Sequence, residues 1–120
     1  SWYFNADEIF VGSARVYIEK ARTPEEQTRG LMGRKSLAED HGMLFLFSEA
    51  APRVFWNRNT YIPLDVIWIR DGKVIGASSL PMQGEEIVQV FSPEAADAVL
   101  EVNQGWAARH SVKLGDKVLY

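Results

Sequence analysis

The chain has 120 residues, 47% of them hydrophobic and 24% charged, with a formal net charge of −3 and no cysteine. That length fits one domain over residues 1–120, with a core large enough to fold without a metal or a disulfide. The acidic balance argues against nucleic acid as a partner, because a phosphate backbone attracts basic faces; the missing cysteines exclude disulfides and thiolate metal sites.

In chain order, "SWYFNADEIFV" is rich in aromatic and apolar residues, which suggests a docked N-terminal end. The chain begins at Ser1 rather than Met, so this end reads as processed or trimmed and export stays open. "SARVYIEKA" alternates Ala14, Val16 and Ile18 against Arg15, Tyr17 and Glu19, the pattern of a strand with one wet face. In "TPEEQTRGLMGR", Thr23 suits a helix N-cap, Pro24 the first helical position, and Glu26 the far side of a capping box. Gly30 and Gly33 keep that helix short, and Leu31, Met32 and Leu37 are spaced to plug one end of a sheet.

"GMLFLF", Gly42 to Phe47, is a continuous apolar strand buried on both faces, and "SEAAP" turns the chain into "RVFWN". "LDVIWIR" is a further strand, "DG" at Asp71–Gly72 is a two-residue hairpin signal, and "KVIGASSL" returns from it. "EIVQVF" alternates imperfectly, "SPEA" resembles one capped helical turn from Ser92, and "AVLEVNQG" is a strand. "WAARH" after Gly105 is a short helix, and "KLGDKVLY" a tight turn into a last strand. No apolar run approaches the roughly 18 residues of a membrane span. Seven to nine short strands with small helical inserts predict a mostly-β fold, an antiparallel β-sandwich or a jelly-roll-like barrel. Its expected core includes Val16, Ile18, Leu44, Phe45, Leu46, Phe47, Phe55, Ile67, Ile69, Leu100 and Val102.

Four ordered motifs, "TPEEQTRGLMGRKSL", "GMLFLF", "FWNRNTYIPLDVIWI" and "VLEVNQGWAARHSVKLGD", resemble the uncharacterised prokaryotic family called domain of unknown function 192. The resemblance runs from about Val11 to Val118. It implies a compact mostly-β fold and, because such domains often follow an export signal or lipid anchor, an extracytoplasmic (periplasmic or cell-surface) placement. It implies no defined activity, although carbohydrate handling has been suggested for such domains. Where the family usually reads Phe-Trp-Met-Lys-Asn-Thr, this chain has Phe55, Trp56, Asn57, Arg58, Asn59 and Thr60, so a polar amide replaces a thioether.

The polar block from Asn57 to Thr60, set between two apolar runs, has two readings. In one, Asn59 and Thr60 satisfy backbone groups of a bend and Pro63 launches the next strand. In the other, Arg58 is a cation for a polar ligand, Asn59 an orienting amide and Trp56 a flat stacking surface. Asp65 sits inside an apolar strand and must be paired, with Arg58, Arg34 or the "RNTY" backbone as candidate partners. Glu101 and Asn103 share one face of their strand. If that face meets Asp65, a carboxylate pair of the glycosidase type results.

Metal binding is not expected: His41 and His110 are the only histidines, and Asp7, Asp40, Asp71 and Asp116 are scattered. No G-x-S-x-G or phosphate loop is present. No cofactor is expected. The reading is a small extracytoplasmic binding or interaction module for a polar small molecule or glycan, with Trp56, Arg58, Asn59, Asp65 and Glu101 as candidate ligand-binding residues. The alternative is a hydrolase acting on a saccharide through Asp65 and Glu101.

Overall fold

A computed structural model of the chain describes residues 7–120. The expected docking of residues 1–6 lies outside them; the part of that stretch from Asp7 onward forms a strand. The described elements are β1 (Asp7–Val11), β2 (Ala14–Ala21), α1 (Pro24–Arg29), β3 (His41–Ala51), β4 (Val54–Trp56) and β5 (Leu64–Arg70). β6 (Lys73–Leu80), β7 (Gln89–Phe91), β8 (Ala96–Asn103), α2 (Trp106–Arg109) and β9 (Val118–Leu119) follow. The mostly-β expectation therefore holds. No helix among the described residues is long and apolar enough to cross a membrane.

Seven strands form one sheet in the order β6-β5-β8-β3-β2-β1-β9, and β4 pairs with β7 in a separate two-stranded ribbon. The large sheet curls into a half-barrel, in place of the expected sandwich of two matched sheets. The all-antiparallel expectation is corrected at one position: β2 and β3 are parallel, with Ile18 opposite Gly42 and Lys20 opposite Leu44. A parallel pair needs a long crossover, and residues 22–40 supply it mostly as loop around the short α1. No crossover helix of a dozen residues is needed for it.

Curling brings the two edges of the sheet together at one end. Val118 N donates to Gly72 O at 2.8 Å, Val74 N to Asp116 O at 2.9 Å, and Gly12 N to Lys117 O at 2.7 Å. Residues 115–119 thus bond both to the start of β6 and to β1 and its turn.

Both faces of the sheet are covered, which is why the central strands read as unbroken apolar runs. The concave side packs Val16, Ile18, Leu44, Ile67, Ile69, Leu100 and Val102, and Trp106 of α2 closes it. The convex side packs Leu31, Phe45, Leu64, Val66 and Trp68, covered by the crossover loop and by Phe55 and Val90 of the ribbon. Phe55 meets Phe45 and Trp68 edge-on, with ring centres 4.8 and 5.7 Å away. Of the expected core, Leu46, Phe47 and Phe55 are only half-buried.

Leu31, Met32 and Leu37 do not plug a sheet end; they lie over the convex face. Two turn assignments also change. "SEA" extends β3 through an irregularity between Leu46 and Ala51. "SPEA" is a bend without helix, in which the Ser92 hydroxyl accepts from Arg53 N at 2.8 Å. By contrast, Asp71 and Gly72 both have positive φ (50° and 68°) between paired Arg70 and Lys73, the expected hairpin turn.

Candidate functional site

Helix α1 begins as its sequence dictates. Glu26 N donates to Thr23 Oγ1 at 3.1 Å and Glu26 Oε1 accepts from Thr23 N at 3.0 Å, closing the capping box with Pro24 in the first turn. Six residues are too few for a helix to stand alone in water. Gln27 fastens it to the sheet by donating to Leu46 O at 2.7 Å. The chain then crosses the Phe45 ring at Gly30, whose φ of 47° and lack of a Cβ allow the approach; a Cβ there would lie 3.3 Å from that ring. Between α1 with its following turn and the β4–β7 ribbon, a cavity of about 440 Å³ remains over the convex face.

Glu101 and Phe45 lie at the sheet side of this cavity; Thr28 and Met32 come from the α1 side, and Phe55 and Trp56 from the ribbon. Arg53 completes a wall. Its guanidinium stacks 3.7 Å from the Phe47 ring centre, and it donates to Ala96 O and Glu49 O. These bonds commit the Arg53 charge to the wall itself.

Glu101 is 4% exposed, and its carboxyl makes no hydrogen bond or ion pair with the described residues; its oxygens open onto the cavity, whereas the one fully enclosed, unpartnered side-chain oxygen among the described residues is Asp97 Oδ1. Its cross-strand neighbours are Met43 and Val66, which offer no polar side chain. Burial alone pushes its carboxyl up to about 8, so the group is mostly neutral at pH 7. A polar group kept inside without a partner costs about 1–3 kcal/mol. Such groups cluster where a protein handles ligands.

The other expected site residues separate. Trp56 lines the cavity and is 41% exposed, with the Arg58 guanidinium 5.5 Å from its ring centre. Arg58 and Asn59 are exposed on the adjoining bend, outside the cavity lining. The bend is held mainly by Asn57, which is fully buried. Its Nδ2 donates to Pro81 O at 2.9 Å, and its Oδ1 accepts from Val88 N at 2.8 Å. The replacement of the family's thioether thus neither lines the cavity nor faces solvent; it laces three chain segments. Thr60 does bond backbone, donating to Arg58 O at 3.1 Å, whereas Asn59 contributes its left-handed backbone (φ 53°) rather than its side chain.

Asp65 is corrected in both partner and place. Its Oδ2 accepts from Gly105 N at 3.1 Å and Ala107 N at 3.0 Å, so it caps α2 from a neighbouring strand. Neither Arg58, Arg34 nor the "RNTY" backbone reaches it; Arg34 is held by Glu19. Asp65 stands opposite Val102, and Glu101 opposite Val66. Alternation along strands therefore sends the two carboxyls to opposite faces of the sheet, and the anticipated pair does not form.

Arg53 and Thr28 carry no signal in the sequence, and Phe47 and Met32, expected in the core and at a sheet end, line the cavity instead. The "TPEE" cap locates α1, but nothing local says that α1 overlies Glu101.

A half-barrel with a buried, unpartnered acid under an aromatic-walled cavity defines a small pocket-bearing β-domain. The chain belongs to the family designated domain of unknown function 192, described as an uncharacterised ACR, whose model matches residues 8–120. Two solved structures are similar to it. One, a proposed transcription regulator from Sinorhizobium meliloti 1021, is 35% identical with a TM-score of 0.83, over 92% of this chain and 88% of its own. The other, a protein of unknown function from Novosphingobium aromaticivorans DSM 12444, is 37% identical with a TM-score of 0.85, over 96% and 85%. No curated protein matches.

Proposed function

We propose that this domain is a small-molecule binding module whose ligand occupies the cavity between α1 and the β4–β7 ribbon. The supporting observation is the pairing of a cavity of about 440 Å³ with a buried carboxyl that has no partner among the described residues. Ligand sites combine apolar and aromatic walls with convergent polar groups, and here Phe45, Phe55 and Trp56 supply the aromatic part beside Glu101. Extracytoplasmic placement belongs to the same proposal and rests on the family resemblance. The regulator role ascribed to the Sinorhizobium protein is not carried over, because a net charge of −3 suits nucleic acid poorly. A hydrolase using Asp65 with Glu101 draws no support from the geometry, since the two carboxyls lie across the sheet from each other.

The test is a thermal-shift screen of the whole chain against sugars, nucleotides, amino acids, amines and divalent metals. A ligand at a hundred times its Kd stabilises the native state by about 2.7 kcal/mol. The expected hits lose their effect in Thr28→Trp, which fills the cavity from an exposed helical position. Absence of any hit, or hits indifferent to Thr28→Trp, would sink the reading.

A further inference from the structure

We infer that the cavity selects a small organic monocation, a primary ammonium or guanidinium on an apolar or aromatic body, whose charged head pairs with Glu101. The inference rests on the binding reading above and names the ligand class.

Polar and apolar atoms share the cavity wall about equally, but several of the polar ones beside the Phe45 and Phe55 rings are already engaged. Gln27 spends its amide hydrogens on Ala21 O and Leu46 O, and Thr60 spends its hydroxyl hydrogen on Arg58 O. A sugar with a hydroxyl on nearly every carbon would leave most of them unpaired against Phe45, Phe55 and Leu31, at about 1–3 kcal/mol each. An anionic head would leave Glu101 protonated and gain at most a hydrogen bond from it, while the Arg53 guanidinium is already engaged by Ala96 O and Glu49 O. A cation meets two complementary features, a carboxylate and aromatic rings, and ring faces attract ammonium and guanidinium groups strongly when both are desolvated. Its apolar body would cover Phe55 and Trp56.

Two arginines border the cavity without occupying this role. Arg53 is tied to Ala96 O, Glu49 O and the Phe47 ring, and Arg29 is exposed on the last turn of α1. Neither charge acts on the Glu101 carboxyl, whose displacement comes from burial only. The acid therefore stays neutral in the empty protein and must release its proton when a cation arrives. The proton passes to buffer and the pair forms by charge-assisted hydrogen bonds, with no covalent change.

Calorimetry of the full chain at pH 7 tests this with 2-phenylethylammonium, butylammonium and butylguanidinium, each set against a neutral isostere such as 2-phenylethanol for the first. Runs in two buffers of different ionisation enthalpy count the protons released. The expected result is binding of at least one cation, tenfold or more tighter than its isostere, with release approaching one proton per site. Glu101→Gln, which keeps the shape and removes the ionisable group, should weaken the cation tenfold or more and abolish the release. Neutral isosteres or sugars binding as well as cations would overturn the cation class while leaving a binding module standing. Unchanged cation affinity in Glu101→Gln would overturn it likewise. Silence from every probe here and in the wider screen would remove both readings together.

Discussion

Asp65 and Glu101 leave adjacent strands in opposite directions, the first toward Gly105 and Ala107 of the concave side, the second into the cavity on the convex side. Each carboxyl can therefore be altered with little effect on the other's surroundings, and the two should answer different measurements.

For Glu101 the measurement is stability against pH. Its folded-state value of about 8 lies above the ordinary 4.5. Below 4.5 both folded and unfolded chains carry the proton, and the stability contribution is complete. As pH rises from 4.5 to 8 the unfolded chain ionises first, and stability falls by up to about 1.4 kcal/mol per pH unit, levelling above 8. Glu101→Gln lacks this dependence. Its advantage over the natural chain should grow by at least ~2 kcal/mol between pH 5 and pH 8 in urea titrations. Parallel curves would show that the acid is not buried as described.

For Asp65 the measurement is local. Removing the acceptor of two helix N-terminal amides should cost about 2 kcal/mol in Asp65→Ala, and less in Asp65→Asn, which keeps one side-chain oxygen. Amide exchange at Gly105 and Ala107 should rise before that of β5. Unaltered protection at those two amides would count against the cap.

Asn57→Met introduces the thioether that the family resemblance implies at this position and deletes the links to Pro81 and Val88. Those two backbone groups lose their side-chain partner, so a loss of ~2 kcal/mol or more is expected. A denaturation midpoint equal to that of the natural chain would mean that the amide is dispensable.

Gly72→Val places a β-branched residue at a φ of 68°. The hairpin should lose about 1 kcal/mol or more, read as a lower unfolding midpoint. Gly84→Val, at a glycine without positive φ and with open space around it, serves as the control and should be nearly silent.

Local chemistry made much of this fold legible. Thr23, Pro24 and Glu26 announce α1, and Asp71–Gly72 announces its hairpin, because each signal is complete within four residues. The alternation in "AVLEVN" correctly put Glu101 and Asn103 on one face. That Asp65 needed hydrogen-bond donors followed from burying a charge, yet its donors lie some forty positions onward at Gly105 and Ala107. The parallel pairing of β2 with β3 is likewise a long-range choice, carried by a loop that has no periodicity to read. Glu101 acquires its setting only when α1, β4 and β8 meet, so its composition-level signal was one acid in an apolar strand.

The joining of β1 and β6 by residues 115–119 also has a bearing on solubility. Unpaired strand edges are templates on which other chains can add, and proteins hide them in various ways. Here one short segment, which contains the last strand β9, covers stretches of β1 and of the opposite edge strand β6 at once, through Gly12, Gly72 and Val74. A lesion in that seam would not merely fray a terminus. It would bare two adhesive borders together, so its first symptom should be self-association that grows with protein concentration, ahead of any loss in melting temperature.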